Sequence, residues 1–349
     1  MEEKNSILLE DIQQVIKTVD LTELKNSSVF VTGATGLIGS FVIRVLLYLN
    51  REHDFNINII GLIRNKDKAE KFFGDDCVNK SIRWIIGDIR NFNLEGNVDH
   101  IIHGASVTSS QDFLYKPVET ITTALYGTEN ILETAKELKV KSVVYLSSME
   151  VFGITDTRLD EVRESDYGYI DILNPRSSYS EGKRLCECLC ASYASEYGVP
   201  VKIARLTQTL GAGIDYNDSR VAAQFMRSVI ESKDIVLKTE GKTRRPIVYI
   251  SDAVSGIFTV LLKGQVGESY TVANKNTIAT IRETAEMIAC NIAKDKIKVV
   301  FEIDVPKEYA PNLNLNLNLN TDKLESLGWK AKVDLEESYR RMIENANGV

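Results

Sequence analysis

Two periodicities alternate along this chain. Short apolar runs rich in β-branched residues stand at 29–31, 57–63, 82–86, 100–103, 141–146 and 201–206, and each reads as a buried strand. Between them, apolar residues recur every three to four positions, which reads as helix at 41–49, 118–138 and onward from 175. Strands that alternate with helices fold as a parallel sheet with crossover helices, so the first two thirds of the chain predict a Rossmann-type, doubly wound α/β domain. Ahead of it, Ile7, Leu8, Ile12, Val15, Ile16 and Val19 fall at helical spacing within 5–24. Acidic residues interrupt that stretch, which suits a helix packed on the domain's flank and not a targeting segment.

After 206 the pattern loosens. Gly211-Ala212-Gly213 marks a loop that crosses to a smaller α+β lobe, 248–262 returns to the first domain, 277–292 reads as an amphipathic helix, 299–303 as a short strand and 335–345 as a closing helix. The expected division is therefore 1–210 with 247–270, including an N-terminal helical extension over 1–27, against a substrate lobe of 211–246 with 271–349. Residues 312–320 alternate Asn and Leu, a period of two that suits a strand or an extended loop with one apolar face, expected as a loop over the substrate pocket.

The first strand runs straight into Thr32-Gly33-Ala34-Thr35-Gly36-Leu37-Ile38-Gly39, three glycines spaced G-x-x-G-x-x-G before a helix. Glycines there permit a sharp turn, close approach of a pyrophosphate to main-chain N–H groups, and tight helix–strand packing. The helix N-terminus then offers free donors and partial positive charge to the phosphates. This predicts a bound dinucleotide. At the end of the second strand, where an Asp or Glu would hold a ribose 2′-hydroxyl, stands Arg64, which suits a 2′-phosphate. The choice between NAD and NADP stays open, because a solvated surface arginine reads equally well. Asp88, before Ile89, follows the third strand and either accepts from an adenine amino group or serves as a turn residue. Gly104, Ala105 and Ser106 after the fourth are small enough to let the cofactor pass close.

Composition narrows the partners. With a net charge of −7, nucleic acid and anionic membranes are disfavoured, so an anionic ligand must be held by local arginines and backbone donors. Arg220, Arg244 and Arg245 are the candidates for gripping a diphosphate, since guanidinium forks match phosphate oxygens. No apolar run is long enough to span a bilayer, and five cysteines without a disulfide framework suit a reducing compartment, so a cytoplasmic protein is expected. Only three histidines are present, without ligand spacing, and no metal site is expected. His103 reads as a structural residue. Cys186, Cys188 and Cys190 lie on a helix where neighbours two apart diverge, and they read as buried small hydrophobes.

Tyr179 and Lys183 stand four apart, on one helical face. An ammonium beside a phenol stabilises tyrosinate and depresses its pKa, so the phenol can exchange a proton with a substrate hydroxyl near neutral pH. Ser148 lies upstream at the end of the fifth strand.

In order, Thr32-Gly-x-x-Gly-x-x-Gly39, Ser148 and Tyr179-x-x-x-Lys183 resemble the extended short-chain dehydrogenase/reductases, specifically the nucleotide-sugar epimerase/dehydratase/decarboxylase family. Arg245-x-x-x-Tyr249-Ile250-Ser251-Asp252 and Leu327-Gly328-Trp329 match further segments of that family, so the resemblance spans nearly the whole chain. It implies oxidation of a sugar hydroxyl, usually at C4, by hydride transfer to a tightly held nicotinamide. Tyr179 would take the hydroxyl proton, Lys183 would tune Tyr179 and hold the nicotinamide ribose, and Ser148 would bond the reacting oxygen. A homodimer through helices 118–138 and 179–197 is likewise implied.

Within the family, Ser148-Met149-Glu150-Val151-Phe152-Gly153 resembles the dehydratases' Thr-Asp-Glu-Val-Tyr-Gly, with Glu150 retained to move a proton beside the new ketone. Met149 replaces the Asp that protonates a departing C6 hydroxyl, and a thioether has no proton to give. UDP-glucuronate decarboxylases are similar at Arg176-x-x-Tyr179-x-Glu181-Gly182-Lys183-Arg184 and at Asp218-Ser219-Arg220-Val221. Their arginine before a C-terminal proline is absent, the segment reading Tyr309-Ala310-Pro311, and Gln208 stands where an Asn usually reaches the sugar nucleotide. The expected function is transient C4 oxidation of a nucleotide sugar ending in epimerisation, elimination or decarboxylation. The alternatives are an NADPH-dependent ketosugar reductase and, from another class, a non-catalytic nucleotide-binding scaffold.

Overall fold

The computed structural model describes residues 6–303 and 316–347. In chain order its helices are α1 (Ser6–Thr18), α2 (Leu37–His53), α3 (Lys66–Phe73), α4 (Ser110–Tyr115), α5 (Pro117–Leu138), α6 (Ser178–Tyr197), α7 (Val221–Ile230), α8 (Ile250–Lys263), α9 (Ile281–Met287), α10 (Asp322–Glu325) and α11 (Leu335–Asn347). The strands are β1 (Ser28–Thr32), β2 (Asn58–Ile63), β3 (Ile82–Ile86), β4 (His100–His103), β5 (Ser142–Ser148), β6 (Val201–Leu206), β7 (Gln208–Leu210), β8 (Ile235–Leu237), β9 (Arg244–Arg245), β10 (Ile247–Tyr249), β11 (Ser269–Val272), β12 (Ala279–Thr280) and β13 (Val299–Phe301).

Seven strands form one parallel sheet in the order β11-β6-β5-β4-β1-β2-β3. Because both faces are covered by helices, β6 is buried along its whole length and can be apolar without alternation. One face packs α2 and α8 into the larger core, and the other packs α5 and α6 around Ile131, Leu132, Cys186 and Cys190. The sequential order reverses between β1 and β4. That switch point opens a crevice at the carboxyl ends of the strands, the place where this architecture takes its ligand. Three short two-stranded ladders, β10 with β7, β12 with β9 and β13 with β8, build the remainder beside it.

Several expected elements shift. Strand β5 runs on to Ser148, which carries that residue to the crevice as the last position of the strand. The segment 248–262 is a strand before it is a helix, since β10 takes residues up to Tyr249. The expected helix over 277–292 splits, because Thr280 caps α9 in a reciprocal box with Glu283 and a π-helical turn follows at Ile288–Ile292. Strand β11, which no alternation announced, forms the sheet's last edge and straddles the expected boundary at 270. Cys186 and Cys190 are buried as expected, but Cys188, half a turn away, faces solvent.

The N-terminal helix α1 is part of the core. Ile12 and Val15 are wholly buried, Gln14 donates to the buried Asp252 at 3.1 Å, and Asp11 accepts from the Tyr249 hydroxyl at 2.7 Å and from Arg341 at 2.8 Å. The described part of the Asn–Leu run, 316–320, is extended chain bridged to Arg244 and Val162. Leu317 and Leu319 insert into an apolar cluster with Met149, Phe152, Val162 and Ala273, while Asn318 and Asn320 bond Asp160 and Glu161. Residues 312–315 and the segment Tyr309 to Pro311 lie outside the described residues. Among the described residues no helix is long and apolar enough to cross a membrane.

Candidate active site

The glycine turn is shaped by backbone contact. Gly33 adopts φ +69° with its α-carbon against Gly104, where a Cβ would lie 2.9 Å from that residue's backbone. A Cβ at Gly39 would lie 2.3 Å from the Gly33 carbonyl oxygen, so α2 sits directly on the turn. Gly36 is the N-cap of α2 and supplies no side-chain cap, which leaves the first N–H groups around Leu37 and Ile38 free for an outside acceptor. The Thr32 hydroxyl ties the ends of β1 and β4 together, accepting from the N–H groups of Gly104 and Ala105 and sharing a hydrogen bond with His103 Nδ1 at 2.8 Å. His103 is fully buried, and burial pushes its pKa down to about 3; it is a neutral structural residue. A cradle that excludes a Cβ at two positions and leaves helix donors free fits a pyrophosphate.

Further along the crevice, Arg64 is exposed at the end of β2. Asp88 is bonded to both the backbone and the guanidinium of Arg90, which holds its carboxyl down at about 2. The same residue closes a turn with Asn91, so the turn reading is realised, and Arg64 lies near enough to act on it electrostatically. Ile89 is buried against Gly127. Thr35, Ala105 and Ser106 line the half-exposed rim.

Ser148, Glu150, Tyr179 and Lys183 converge where β5 ends and α6 begins. Proline 175 and Asn174 start a 3-10 turn that feeds α6, and the helical spacing places Lys183 one turn below Tyr179. The Lys183 ammonium is buried, donates to the Leu146 carbonyl at 2.7 Å and lies 5.8 Å from the centre of the Tyr179 ring. Burial lowers its pKa to about 8. Tyr179 does not have the depressed pKa that its spacing from Lys183 suggests. Burial pushes the phenol up to about 12 and Glu150 adds to this, while Ser148, by hydrogen bonding, and Arg176 and Arg220, by charge, pull it back. In this site desolvation outweighs the nearby cations, and the phenol is held protonated.

Glu150 is not a free carboxylate. Arg176 grips it with two N–H donors, each at 3.1 Å, and the Ser180 hydroxyl donates at 2.8 Å. Met149 points into the apolar cluster with Leu317 and Leu319, away from the crevice. Phe113 from α4 stacks on Tyr179 with ring centres 4.3 Å apart and planes 14° apart. Arg176, Ser180 and Phe113 escape a reading by residue type; Arg176 lies inside the Arg176-x-x-Tyr179 match, and that spacing was the available signal.

On the far wall Arg245 donates to the Gln208 side-chain oxygen at 2.7 Å, which parallel pairing of β10 with β7 makes possible. Among the described residues the buried Nε of Arg245 has no hydrogen-bond partner. Arg220, at the head of α7, is half-buried and paired with Asp218. Arg244 is exposed and lies over the Asn–Leu segment. Beneath the centre a wholly buried Arg205 bonds Glu187 bidentately and donates to the Glu164 carbonyl and the Tyr167 hydroxyl, fastening the loop 154–173 to the sheet.

The arrangement offers a cradle for a dinucleotide, a protonatable phenol with a buried lysine behind it, and arginines opposite. Residues 29–273 match the model of the NAD dependent epimerase/dehydratase family. UDP-glucuronic acid decarboxylase 6 of Arabidopsis thaliana is 30% identical over 322 residues, which are 92% of this chain and 89% of that protein. UDP-glucuronic acid decarboxylase 1 of Danio rerio is 28% identical, over 93% of this chain and 73% of its own length. Among solved structures, a dTDP-glucose 4,6-dehydratase from Streptomyces venezuelae with NAD bound superposes with a TM-score of 0.76 at 24% identity, covering 92% of this chain and 97% of that one.

Proposed function

This chain belongs to the NAD dependent epimerase/dehydratase family, and from that premise we propose that it modifies a nucleotide-linked sugar through transient oxidation at C4, ending in epimerisation, elimination or decarboxylation. The observation that carries the reading is the convergence of Ser148, Tyr179 and Lys183 at the switch-point crevice, beside a glycine turn that fits a pyrophosphate. A bound nicotinamide dinucleotide supplies the hydride acceptor and, later, the hydride donor. The turn from Gly33 to Gly39 would hold its pyrophosphate, Asp88 and Ile89 its adenine side, Gly104 to Ser106 its path through the crevice, and Lys183 its ribose.

Tyr179 takes the proton of the sugar hydroxyl as the hydride leaves and returns it at the end. Because burial holds the phenol protonated, Tyr179 must release its own proton before it can accept the hydroxyl's, a loss that the positive charges of Lys183, Arg176 and Arg220 would favour. Ser148 orients the reacting oxygen. Arg245 joins Gln208 and Arg220 in gripping the nucleotide diphosphate. Glu150 acts as an anion held by Arg176 and Ser180, and Met149 supplies no proton. In this reading residues 1–210 and 247–270 carry the dinucleotide and 211–246 with 271–349 the sugar nucleotide, with β11 shared at the boundary. We place a dimer contact on α5 and α6, whose outer faces expose Val118, Tyr126 and Leu185, and expect twice the chain mass in sedimentation, halved by charged substitutions at Val118 and Tyr126.

We read the cofactor as NAD, in line with the family. One observation favours a second reading: Arg64, exposed at the end of β2 where no carboxylate stands, suits NADPH and a net ketosugar reductase. The purified protein should be incubated with UDP-, dTDP-, CDP- and GDP-sugars without added cofactor and the products weighed by mass spectrometry. Loss of carbon dioxide or water, or an isobaric product with new retention, supports redox-neutral C4 chemistry and names its outcome. Turnover only once NADPH is supplied moves the assignment to the reductase.

A further inference from the structure

We propose that Arg176 is the positioning residue of the proton-transfer centre: it neutralises the Glu150 carboxylate beside Tyr179 and, through Phe113, fixes the plane of the Tyr179 ring. This rests on Tyr179 being the base in the reading above.

Three separate stretches of chain meet on one guanidinium. Glu150 comes from the 3-10 turn after β5, Phe113 from α4, and Arg176 itself from the 3-10 turn ahead of α6. The fork of Arg176 matches the carboxylate with two N–H···O bonds of 3.1 Å, a geometry that lysine cannot reproduce with a single point charge. Its guanidinium carbon lies 4.8 Å from the centre of the Phe113 ring, and Phe113 in turn stacks on Tyr179. Guanidinium, phenyl and phenol thus touch in succession, and both members of the ion pair are largely buried, at 14% and 23% side-chain exposure. Within so sheltered a site charges act strongly on one another.

The consequence falls on Tyr179. An unpaired carboxylate next to the phenol opposes formation of tyrosinate, and Glu150 does push that ionisation upward while Arg176 opposes it. The other groups facing the phenol are the Ser148 hydroxyl and the buried Tyr145 from β5, Arg220 at the head of α7, and Lys183 on the same helix. Arg176 alone of these is bonded to the offending anion. Removing it leaves a largely buried carboxylate bonded by Ser180, with the Arg245 charge acting on it only from a distance, and the Tyr179 phenol should lose its proton less readily without having lost any contact of its own hydroxyl.

The test reads the ionisation of Tyr179 without substrate. Wild type, Arg176→Gln, Glu150→Gln and the double variant are loaded with NAD, jumped to about pH 11, one unit above the ordinary tyrosine value, and their tyrosinate absorbance is recorded before unfolding. A Tyr179→Phe partner of each serves as the blank. Arg176→Gln should lower the ionised fraction of Tyr179 severalfold, as expected for a shift of about one pH unit or more. The double variant should restore it to the wild-type level or above. Arg176→Lys should fall between, and it carries the test if the glutamine variant does not fold. Equal ionised fractions in wild type and the Arg176 variants, or no recovery on adding Glu150→Gln, would overturn the proposal; a residue that merely stabilises the fold would show no such recovery. No sugar nucleotide enters the measurement, so failure of the functional reading would appear in the product panel and not here.

Discussion

Single residues set the chemistry through what they are paired with. Tyr179 illustrates this: its spacing from Lys183 makes the two neighbours, but burial outweighs the nearby cations and the phenol keeps its proton. Tyr179→Phe should therefore abolish turnover and leave bound dinucleotide content nearly unchanged, since the hydroxyl and not the ring carries the proton; retained turnover of an active sugar nucleotide would show that another group is the base. Asp11 offers a test by pH. Burial first, against the opposing bonds from Tyr249 and Arg341, raises its carboxyl from 3.8 to about 6. The folded state thus holds this proton more tightly than the unfolded chain, and the favourable contribution, complete below about pH 4, is lost as pH rises through about 6. Asp11→Asn has no such proton to lose. Relative to wild type it should gain roughly 2–3 kcal/mol between pH 4 and 7.5 in urea unfolding, and a constant difference would mean that the carboxyl titrates normally in the fold.

At the scale of elements, the turn between β1 and α2 is the most constrained part of the molecule. Its helix begins at Leu37, four residues before the apolar pattern becomes unmistakable, because Gly36 and Gly39 let the first turn wind down onto the Gly33 carbonyl. Gly39→Ala places a methyl in that contact. We expect a stability loss of about 1–3 kcal/mol from overpacking, and a protein purified with at least tenfold less dinucleotide, measured by the absorbance of the cofactor released on denaturation. The short elements around the sugar-nucleotide side were the hardest to read. Strands β7, β9 and β10 have two or three residues each, too few for a period to show, and they exist because each finds a partner distant in the chain. The pairing of β10 with β7 sets Ile247 opposite Gln208, and Arg245, two residues earlier in β9, reaches the Gln208 side chain from there; the two were singled out by different arguments.

Across the whole molecule, late segments support early ones. The extended 316–320 segment passes beneath the strand end that bears Ser148 and Glu150, with Leu317 and Leu319 against Met149 and Phe152. This gives the alternation of Asn and Leu a physical sense: one face enters a core and the other bonds the loop at 160–162, so the described stretch 316–320 underlies the end of β5 rather than covering the crevice. Leu319→Ala should cost about 2–5 kcal/mol by thermal or urea unfolding and reduce turnover under conditions where the chain stays folded. Full activity in a destabilised variant would mean that the cluster does not support the centre. The first helix and the last are likewise joined, since Asp11 meets Arg341 at the back of β10.

Long periodic segments, the glycine turn and the Tyr179/Lys183 spacing were legible in the sequence because each depends on neighbours within a few residues: a helix or strand declares its buried face by its period, a sharp turn by its glycines, a helical face by a separation of four. Those local features were enough to determine the doubly wound parallel sheet and to single out the glycine turn and the Tyr179/Lys183 pair on which the proposed function rests. Which carboxylate is free, which cation neutralises it and what the phenol's proton affinity becomes were decided by tertiary structure alone. Arg176, Phe113, Asp11 and the Leu317/Leu319 face act across gaps of tens to hundreds of residues, and burial, the largest influence on Tyr179 and Lys183, is a property of the packed molecule and of no short stretch of it.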